Sequence, residues 1–164
     1  QDNALFTGTI FENITLGEPS ISRDKVIEAA HQVEANRFIE RLPDSYDFEL
    51  KKQGTSLSMG QRQLICFVRA MVFDPKILIL DEATSSIDSE TEALVNKASE
   101  KMMKGRTSIV IAHRLATIQH ADTILVMHKG EIREKGSHQE LLKQEKGLYK
   151  KLYELQYKDQ VVSG

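Results

Sequence analysis

The spacing of the apolar side chains divides the chain into a mainly helical beginning and an alternating remainder. The first ~55 residues look mainly helical, and the apolar positions recur at helical intervals in the stretch that follows Ser58. The buried face predicted for that helix consists of Leu64, Val68, Met71 and Val72. Residues 44–56 show no regular spacing and are predicted to form a loop.

Short, wholly apolar runs follow that helix and are typical of strands in a buried sheet. The predicted strands are Ile77–Leu80, Thr107–Ile111 and Thr123–Met127. The first is expected to be covered on both faces, and Lys129-Gly130 predicts a tight turn into a further strand at Glu131–Lys135. Strands that alternate with helices indicate an α/β fold with a mostly parallel sheet and flanking helices, and the helical beginning indicates an additional helical lobe.

Composition and charge narrow the class of protein. The net charge of −2 lacks the strongly basic character of a nucleic-acid-binding domain. The apolar runs are far shorter than the ~20 residues that cross a bilayer, and the single cysteine, Cys66, excludes an internal disulfide. Because the first residue is Gln1 rather than Met, we expect these 164 residues to come from a longer chain, with any membrane link in a partner or in sequence outside them.

Two adjacent carboxylates, Asp81 and Glu82, follow the apolar run at Ile77–Leu80. Open α/β sheets bind ligands at the carboxyl ends of their strands. Carboxylates at such an edge suit metal-assisted phosphoryl transfer, in which Asp81 holds Mg²⁺ and Glu82 orients or deprotonates a water. His113 follows the strand Thr107–Ile111 and is expected at the same edge. Taken alone, a strand that ends in Asp-Glu is equally compatible with a solvated turn.

The segment Leu57–Gln61 leads into the predicted helix. Ser58 and Gln61 have the spacing of a capping box, in which each side chain satisfies a backbone donor of the other residue. A helix N-terminus attracts phosphate through its free N–H groups, and Gly60 allows the backbone to approach closely. An ordinary capped helix explains these residues equally well.

Five motifs in a fixed order resemble those of the ATP-binding cassette (ABC) ATPases. They are the Q-loop (Gln1-Asp2 with Leu5-Phe6), the signature (Leu57–Gln61), the Walker B motif (Ile77–Glu82), the D-loop (Ser85–Asp88) and the H-loop (Ala112–Arg114). The stretches 112–117, 121–122, 129–131 and 136–138 are similar to the exporter branch of this family. In that branch the domain is usually fused to a membrane-spanning bundle.

The resemblance implies a P-loop NTPase-like (RecA-like) fold with a helical subdomain. Residues 1–75 would contain the Q-loop, the helical subdomain and the signature helix, and residues 76–164 the C-terminal part of the RecA-like core with its terminal helices. The implied cofactors are ATP and Mg²⁺. The implied partners are a second nucleotide-binding domain, in a homodimer or a heterodimer, and the coupling helices of a transmembrane domain, without nucleic acid. The implied location is the cytoplasmic face of the cell membrane.

The resemblance also implies a role for each candidate site residue. Gln1 would contact Mg²⁺ through water, and Asp81 would position the metal. Glu82 would activate the attacking water, and His113 would hold the γ-phosphate. Ser58 and Gly60 would clasp the γ-phosphate of ATP held by the opposite domain of a head-to-tail dimer, and Asp88 would bridge that dimer. The full set of implied nucleotide-binding residues is Gln1, Ser58, Gly60, Gln61 and Asp88. Residues 4–16 and 46–54 would face the coupling helices.

Two departures and one missing motif qualify these expectations. Met59 stands where the signature commonly has Gly, and Lys51-Lys52 stands where exporters often carry Gly-Glu. No glycine in these 164 residues is followed by lysine, so the P-loop motif G-x-x-x-x-G-K-S/T does not occur in them. We therefore expect the full-length protein to hydrolyse ATP and the 164 residues alone to be inactive.

The sequence pattern fits two other functions less well than it fits an exporter motor. A DNA-maintenance ATPase of the same superfamily carries long coiled coils, and the short stretch between Met59 and Asp81 leaves no room for one. A regulatory, non-hydrolytic nucleotide-binding module is expected to lack the catalytic carboxylate or histidine, whereas Glu82 and His113 are both present.

Overall fold

Residues 5–50, 56–81, 89–111 and 118–162 are described by the computed structural model, without the side chains of residues 89, 90 and 156–162. The helices in these ranges are α1 (Ile10–Thr15), α2 (Arg23–Gln32), α3 (Asn36–Ile39), α4 (Met59–Phe73), α5 (Ser89–Met103), α6 (His138–Leu142) and α7 (Leu148–Val162). The strands are β1 (Gly8–Thr9), β2 (Glu49–Leu50), β3 (Ile77–Asp81), β4 (Thr107–Ile111), β5 (Ile124–His128) and β6 (Glu131–Gly136). No helix in the described ranges is long and apolar enough to cross a membrane.

The chain forms two compact units, residues 1–110 and residues 111–164. This division neither confirms nor contradicts a functional boundary after residue 75, which stays a prediction. The order of elements agrees with the sequence pattern before β3, where helices predominate, and after β3 the described elements are α5, β4, β5, β6, α6 and α7.

The predicted loop at residues 44–56 is partly wrong, because it contains regular structure. A 3₁₀ turn covers Ser45–Asp47, and β2 pairs antiparallel with β1 so that Gly8 faces Leu50 and Thr9 faces Glu49. Two-residue strands are too short to show an alternating pattern, and the pairing partner lies some 40 residues away in sequence, so no local signal predicts them.

The core of the first unit lies where the long helices α2, α4 and α5 meet the short helix α1. The predicted face of α4 is confirmed: Leu64, Val68 and Val72 are buried, and Met71 packs at the edge of the same cluster. From α5, Val95, Ala98 and Met102 contribute to this core. The core therefore fixes α4, the helix that begins with the signature residues.

The expectation that β3 is covered on both faces is wrong for the described residues. Leu78 is buried against the helices, whereas Ile77 and Ile79 are 62% and 69% exposed. In β4, which pairs with β3, Ile109 and Ile111 are also exposed. Side chains alternate between the two faces of a sheet, so the helices bury one face and leave the other apolar face open in these residues.

Glu34 joins the end of α2 to α5. Its backbone is left-handed (φ 60°), a conformation that costs a non-glycine residue about 1 kcal/mol. Its carboxylate lies 2.6 Å from Lys97 Nζ, 3.1 Å from Lys101 Nζ and 2.9 Å from Arg37 Nη2. These ammonium and guanidinium groups, with Lys97 and Lys101 contributing most, lower the pKa of Glu34 from 4.5 to about 2. Three cations thus stabilise a turn that is unfavourable by itself.

We expect Glu34→Gln to lower the free energy of unfolding of the 164-residue chain by about 1–2 kcal/mol at neutral pH, because the amide loses the attraction of three cations. Since the folded pKa is depressed, the stabilisation is complete above pH 4.5 and is lost as the pH falls through about 2. Urea denaturation of parent and variant across this range measures the difference. Glu40→Gln, which affects an exposed carboxylate 3.6 Å from His31, is the control and should change little. An equal loss in both variants would contradict the role of Glu34.

The second unit is a hairpin packed on two helices. Strands β5 and β6 are antiparallel, and Lys129 and Gly130 turn between them with positive φ angles of 51° and 81°, as the Lys-Gly pair predicted. Ile124, Val126, Leu141 and Tyr149 form its small core. The Glu134 carboxylate on β6 accepts hydrogen bonds from the backbone N–H groups of Leu148 (2.5 Å) and Tyr149 (3.0 Å). A side chain from the hairpin thereby caps α7.

Candidate functional site

The signature residues lie at the N-terminus of α4, where the predicted capping box is confirmed. Ser58 is the N-cap, with extended backbone (φ −64°, ψ 162°). Its Oγ accepts a hydrogen bond from the Gln61 N–H at 3.2 Å, and Gln61 Oε1 accepts one from the Ser58 N–H at 3.0 Å. At the same turn, the Arg62 guanidinium donates to the Leu57 carbonyl at 3.0 Å. The start of α4 is therefore a turn closed by reciprocal hydrogen bonds.

This turn presents hydrogen-bond donors to an anion. In the part of the chain that the structure describes, the backbone N–H groups of Met59 and Gly60 have no acceptor. The Ser58 hydroxyl is exposed and keeps its own hydrogen to donate, because its oxygen is the acceptor in the cap. No acidic residue lies in this first turn, so the positive end of the helix dipole is not neutralised. Donors and dipole together favour a phosphate group.

Asp81 is the last residue of β3, and its side chain is exposed. Across the described residues, no lysine or arginine forms an ion pair with it, and no group of three or more His, Cys, Asp or Glu side chains is arranged to hold a metal. An exposed, unpaired carboxylate at a strand end fits Mg²⁺, which commonly takes one or two protein carboxylates and completes its shell with water and phosphate.

Four predicted site residues lie outside the described residues. They are Gln1, Glu82, Asp88 and His113. In the sequence, Glu82 directly follows Asp81, the last residue of β3, and His113 comes two residues after Ile111, the last residue of β4. Strands β3 and β4 pair in a two-stranded sheet. Their roles stay predictions.

The sequence pattern missed Asn13, a buried polar residue on α1 that is only 2% exposed. Its amide makes three hydrogen bonds to the backbone of the segment before α1: it donates to the carbonyls of Phe6 (2.9 Å) and Thr9 (3.0 Å) and accepts from the Phe6 N–H (2.7 Å). Asn is unfavourable inside a helix, since its side chain competes for backbone groups. In the sequence, the available signal was an asparagine four residues after Thr9, a residue type that can begin a helix.

A comparison with known protein families identifies the chain. The model of the family described as "ABC transporter" matches residues 1–85, just over half of the sequence. The chain belongs to the ABC transporter family.

Members of this family from several bacteria are close in sequence. The ABC transporter ATP-binding protein YfiC of Bacillus subtilis is 53% identical over 96% of this chain, and YknU of the same organism is 49% identical over 97%. The alpha-hemolysin translocation ATP-binding protein HlyB of Escherichia coli is 49% identical over 95%. The chain spans about a quarter of the length of these relatives, namely 26%, 27% and 22%.

A solved structure confirms the fold of this ABC transporter chain. A bacterial Atm1-family ABC exporter with ATP bound superimposes with a TM-score of 0.83 and 42% sequence identity, over 95% of this chain and 27% of the exporter chain. The predicted P-loop NTPase-like α/β fold is therefore correct, although the described strands pair only as three two-stranded sheets.

Proposed function

We propose that the full-length protein is an ABC exporter in which this chain forms part of a nucleotide-binding domain that hydrolyses MgATP to drive transport. The observation that supports the proposal is the start of α4, where the Ser58 hydroxyl and two backbone N–H groups that have no acceptor among the described residues are available to a phosphate. Relatives named as ATP-binding proteins of translocation systems support it.

The described residues would bind ATP through hydrogen bonds to its γ-phosphate. The hydroxyl of Ser58 and the backbone of Gly60 would donate to the γ-phosphate of an ATP molecule held by the opposing domain of a head-to-tail dimer. Gln61 would act by holding the Ser58 backbone, because its amide oxygen is already engaged there. Asp88 would bridge the two domains. These contacts would strengthen as negative charge develops on the transferred phosphoryl group.

The hydrolytic residues would complete the site. Glu82 would accept a proton from the attacking water as the water oxygen bonds to the γ-phosphorus and the bond to the ADP oxygen breaks. His113 would donate a hydrogen bond to the γ-phosphate. Mg²⁺, held by Asp81 and through water by Gln1, would neutralise charge on the phosphates.

The transmembrane domain would provide the second interface. A relative named the ATP-binding/permease protein YheH of Bacillus subtilis supports the partnership with a transmembrane domain. With such a partner, the chain would lie at the cytoplasmic face of the cell membrane. Residues 4–16 and 46–54 would face the coupling helices. Phe6 and Leu16, which are 58% and 52% exposed, lie in this region and give it apolar contact surface.

The proposal is tested by phosphate release from the full-length protein in lipid nanodiscs. We expect hydrolysis of ATP that requires Mg²⁺ and stops when the metal is chelated. A full-length protein that binds MgATP without releasing phosphate would favour the regulatory, non-hydrolytic module instead.

We also expect Met59 and Lys51-Lys52 to mark one half of an asymmetric pair of composite sites. The Met59 side chain stands at the first position of α4 and is 39% exposed, so its bulk lies beside the proposed phosphate site. Met59→Gly should raise MgATP turnover several-fold, whereas Met59→Leu, which keeps the bulk, should leave it at the parent level. Turnover of the purified transporter and its subunit composition are the measurements. A parent protein that purifies as a fully active homodimer would contradict the asymmetry.

A further inference from the structure

Met59 and Met127 are the two exposed methionines among the residues that the structure describes. The Met59 side chain is 39% exposed at the first position of α4, and that of Met127 on β5 is 64% exposed. Met102 is buried in the core, and Met71 and Met103 are partly buried. A thioether becomes a sulfoxide when an oxidant can reach its sulfur, so exposure selects Met59 and Met127.

Oxidation of Met59 would place a hydrogen-bond acceptor beside the donors at the start of α4. The sulfoxide oxygen is bonded to Sδ and stands as far along the side chain as Oε1 does in glutamine. In this same turn, Gln61 Oε1 reaches back to the Ser58 N–H at 3.0 Å. The N–H groups of Met59 and Gly60 have no acceptor in the described ranges, and the positive end of the α4 dipole attracts a negative oxygen. The sulfoxide can therefore accept from the donors that a phosphate would use.

We infer that Met59 is a site of reversible oxidation by peroxide and that its sulfoxide competes with phosphate at the start of α4. The inference rests on the proposed function, because it concerns the same donors. The Met59 sulfur gives up two electrons and forms a bond to one oxygen of hydrogen peroxide, while the O–O bond breaks and the second oxygen leaves as water. A methionine sulfoxide reductase reverses the step: a dithiol becomes a disulfide, and its two electrons and two protons remove the oxygen as water.

The test is MgATP turnover of the full-length transporter in nanodiscs, before and after treatment with hydrogen peroxide in the absence of nucleotide. Mass spectrometry of the tryptic peptide 53–62, in which Met59 is the only methionine, gives the oxidised fraction. We expect turnover to fall as that fraction rises, towards about a tenth of the untreated rate, the effect of one competing hydrogen bond. Methionine sulfoxide reductases A and B, one for each sulfoxide epimer, should restore both the peptide and the turnover.

Met127→Leu is the matched control for Met59→Leu. Each substitution removes the sulfur of an exposed methionine and keeps an apolar side chain, and each variant is compared with its own untreated preparation. Peroxide should not change the turnover of Met59→Leu, whereas Met127→Leu should lose turnover as the parent does. The enzymatic repair is measured on the parent, so it tests the inference even if a variant fails to fold.

Oxidation of the cysteine is distinguished from oxidation of Met59. Cys66 is partly buried, and burial raises the pKa of its thiol, which leaves little of the reactive thiolate. Dithiothreitol without the reductases reverses cysteine sulfenic acid and leaves methionine sulfoxide in place. We expect turnover to return only when the reductases are added.

The outcomes separate this inference from the proposed function. A parent that does not hydrolyse MgATP before treatment would contradict the proposed function, and the inference with it. A parent that hydrolyses MgATP equally fast with peptide 53–62 unoxidised and fully oxidised would overturn the inference alone. So would equal losses in Met59→Leu and the parent, a peptide 53–62 that resists peroxide, or turnover that stays low after the reductases have repaired the peptide.

Discussion

Glu82→Gln in the full-length protein is expected to lower MgATP turnover by at least about 100-fold, the usual contribution of a general base. The amide has the shape of the carboxylate but cannot accept a proton from water. Nucleotide binding should remain close to the parent level, because the change removes an interaction needed in the transition state and none that holds the ground state. Phosphate release and fluorescent-nucleotide binding, measured on the same preparation, separate the two effects.

The matched control for this variant is Glu131→Gln. Glu131 lies at the start of β6, is exposed and pairs with Arg133 in its own strand, at 3.2 Å. Loss of one carboxylate there should leave turnover unchanged. If Glu82→Gln released phosphate at a rate near that of the control, the proposed role of Glu82 as general base would be wrong.

Ser58→Asp is expected to abolish turnover without unfolding α4. Asp caps helices as well as Ser does, so the hydrogen bond from the Gln61 N–H should persist. The new carboxylate, however, would stand where the γ-phosphate is expected. Two like charges about 4 Å apart repel by about 4 kcal/mol at a protein surface, equivalent to a loss of about 1000-fold in rate. ATPase activity and thermal unfolding of the variant are the measurements.

Ser22→Asp provides the control with the same chemistry. Ser22 caps α2 in the same extended conformation, and its hydroxyl accepts from the Lys25 N–H at 3.2 Å. Its replacement should leave both turnover and thermal unfolding near the parent values. If Ser58→Asp hydrolysed ATP like Ser22→Asp, the start of α4 would not be the phosphate site.

Local patterns predicted most of the elements, because their signals lie within a few residues. The strand at Thr107–Ile111 agrees with the structure in its bounds, and α4 begins one residue after its predicted N-cap. The pairing of β1 with β2 and the ion pairs of Glu34 were not predicted. Both depend on residues brought together by the fold rather than by their spacing in sequence.

The residues of the candidate site could be predicted where they belong to contiguous sequence motifs. The cap formed by Ser58 and Gln61 follows from two residues three apart, and the structure confirms it. Asn13 was missed because a single asparagine is a weak signal, and its burial against the backbone of Phe6 depends on the fold. The roles of Glu82 and His113 stay predictions from sequence.

The reciprocal bonds between Ser58 and Gln61 have a consequence for the energetics of nucleotide capture. The turn has this hydrogen-bonded geometry without a ligand, so binding a phosphate there requires little further ordering of the chain. An arriving phosphate then displaces water from fixed donors without reorganising the chain. The affinity of this half of the composite site should therefore depend on how closely the two domains approach each other, and hardly on the ordering of the signature turn itself.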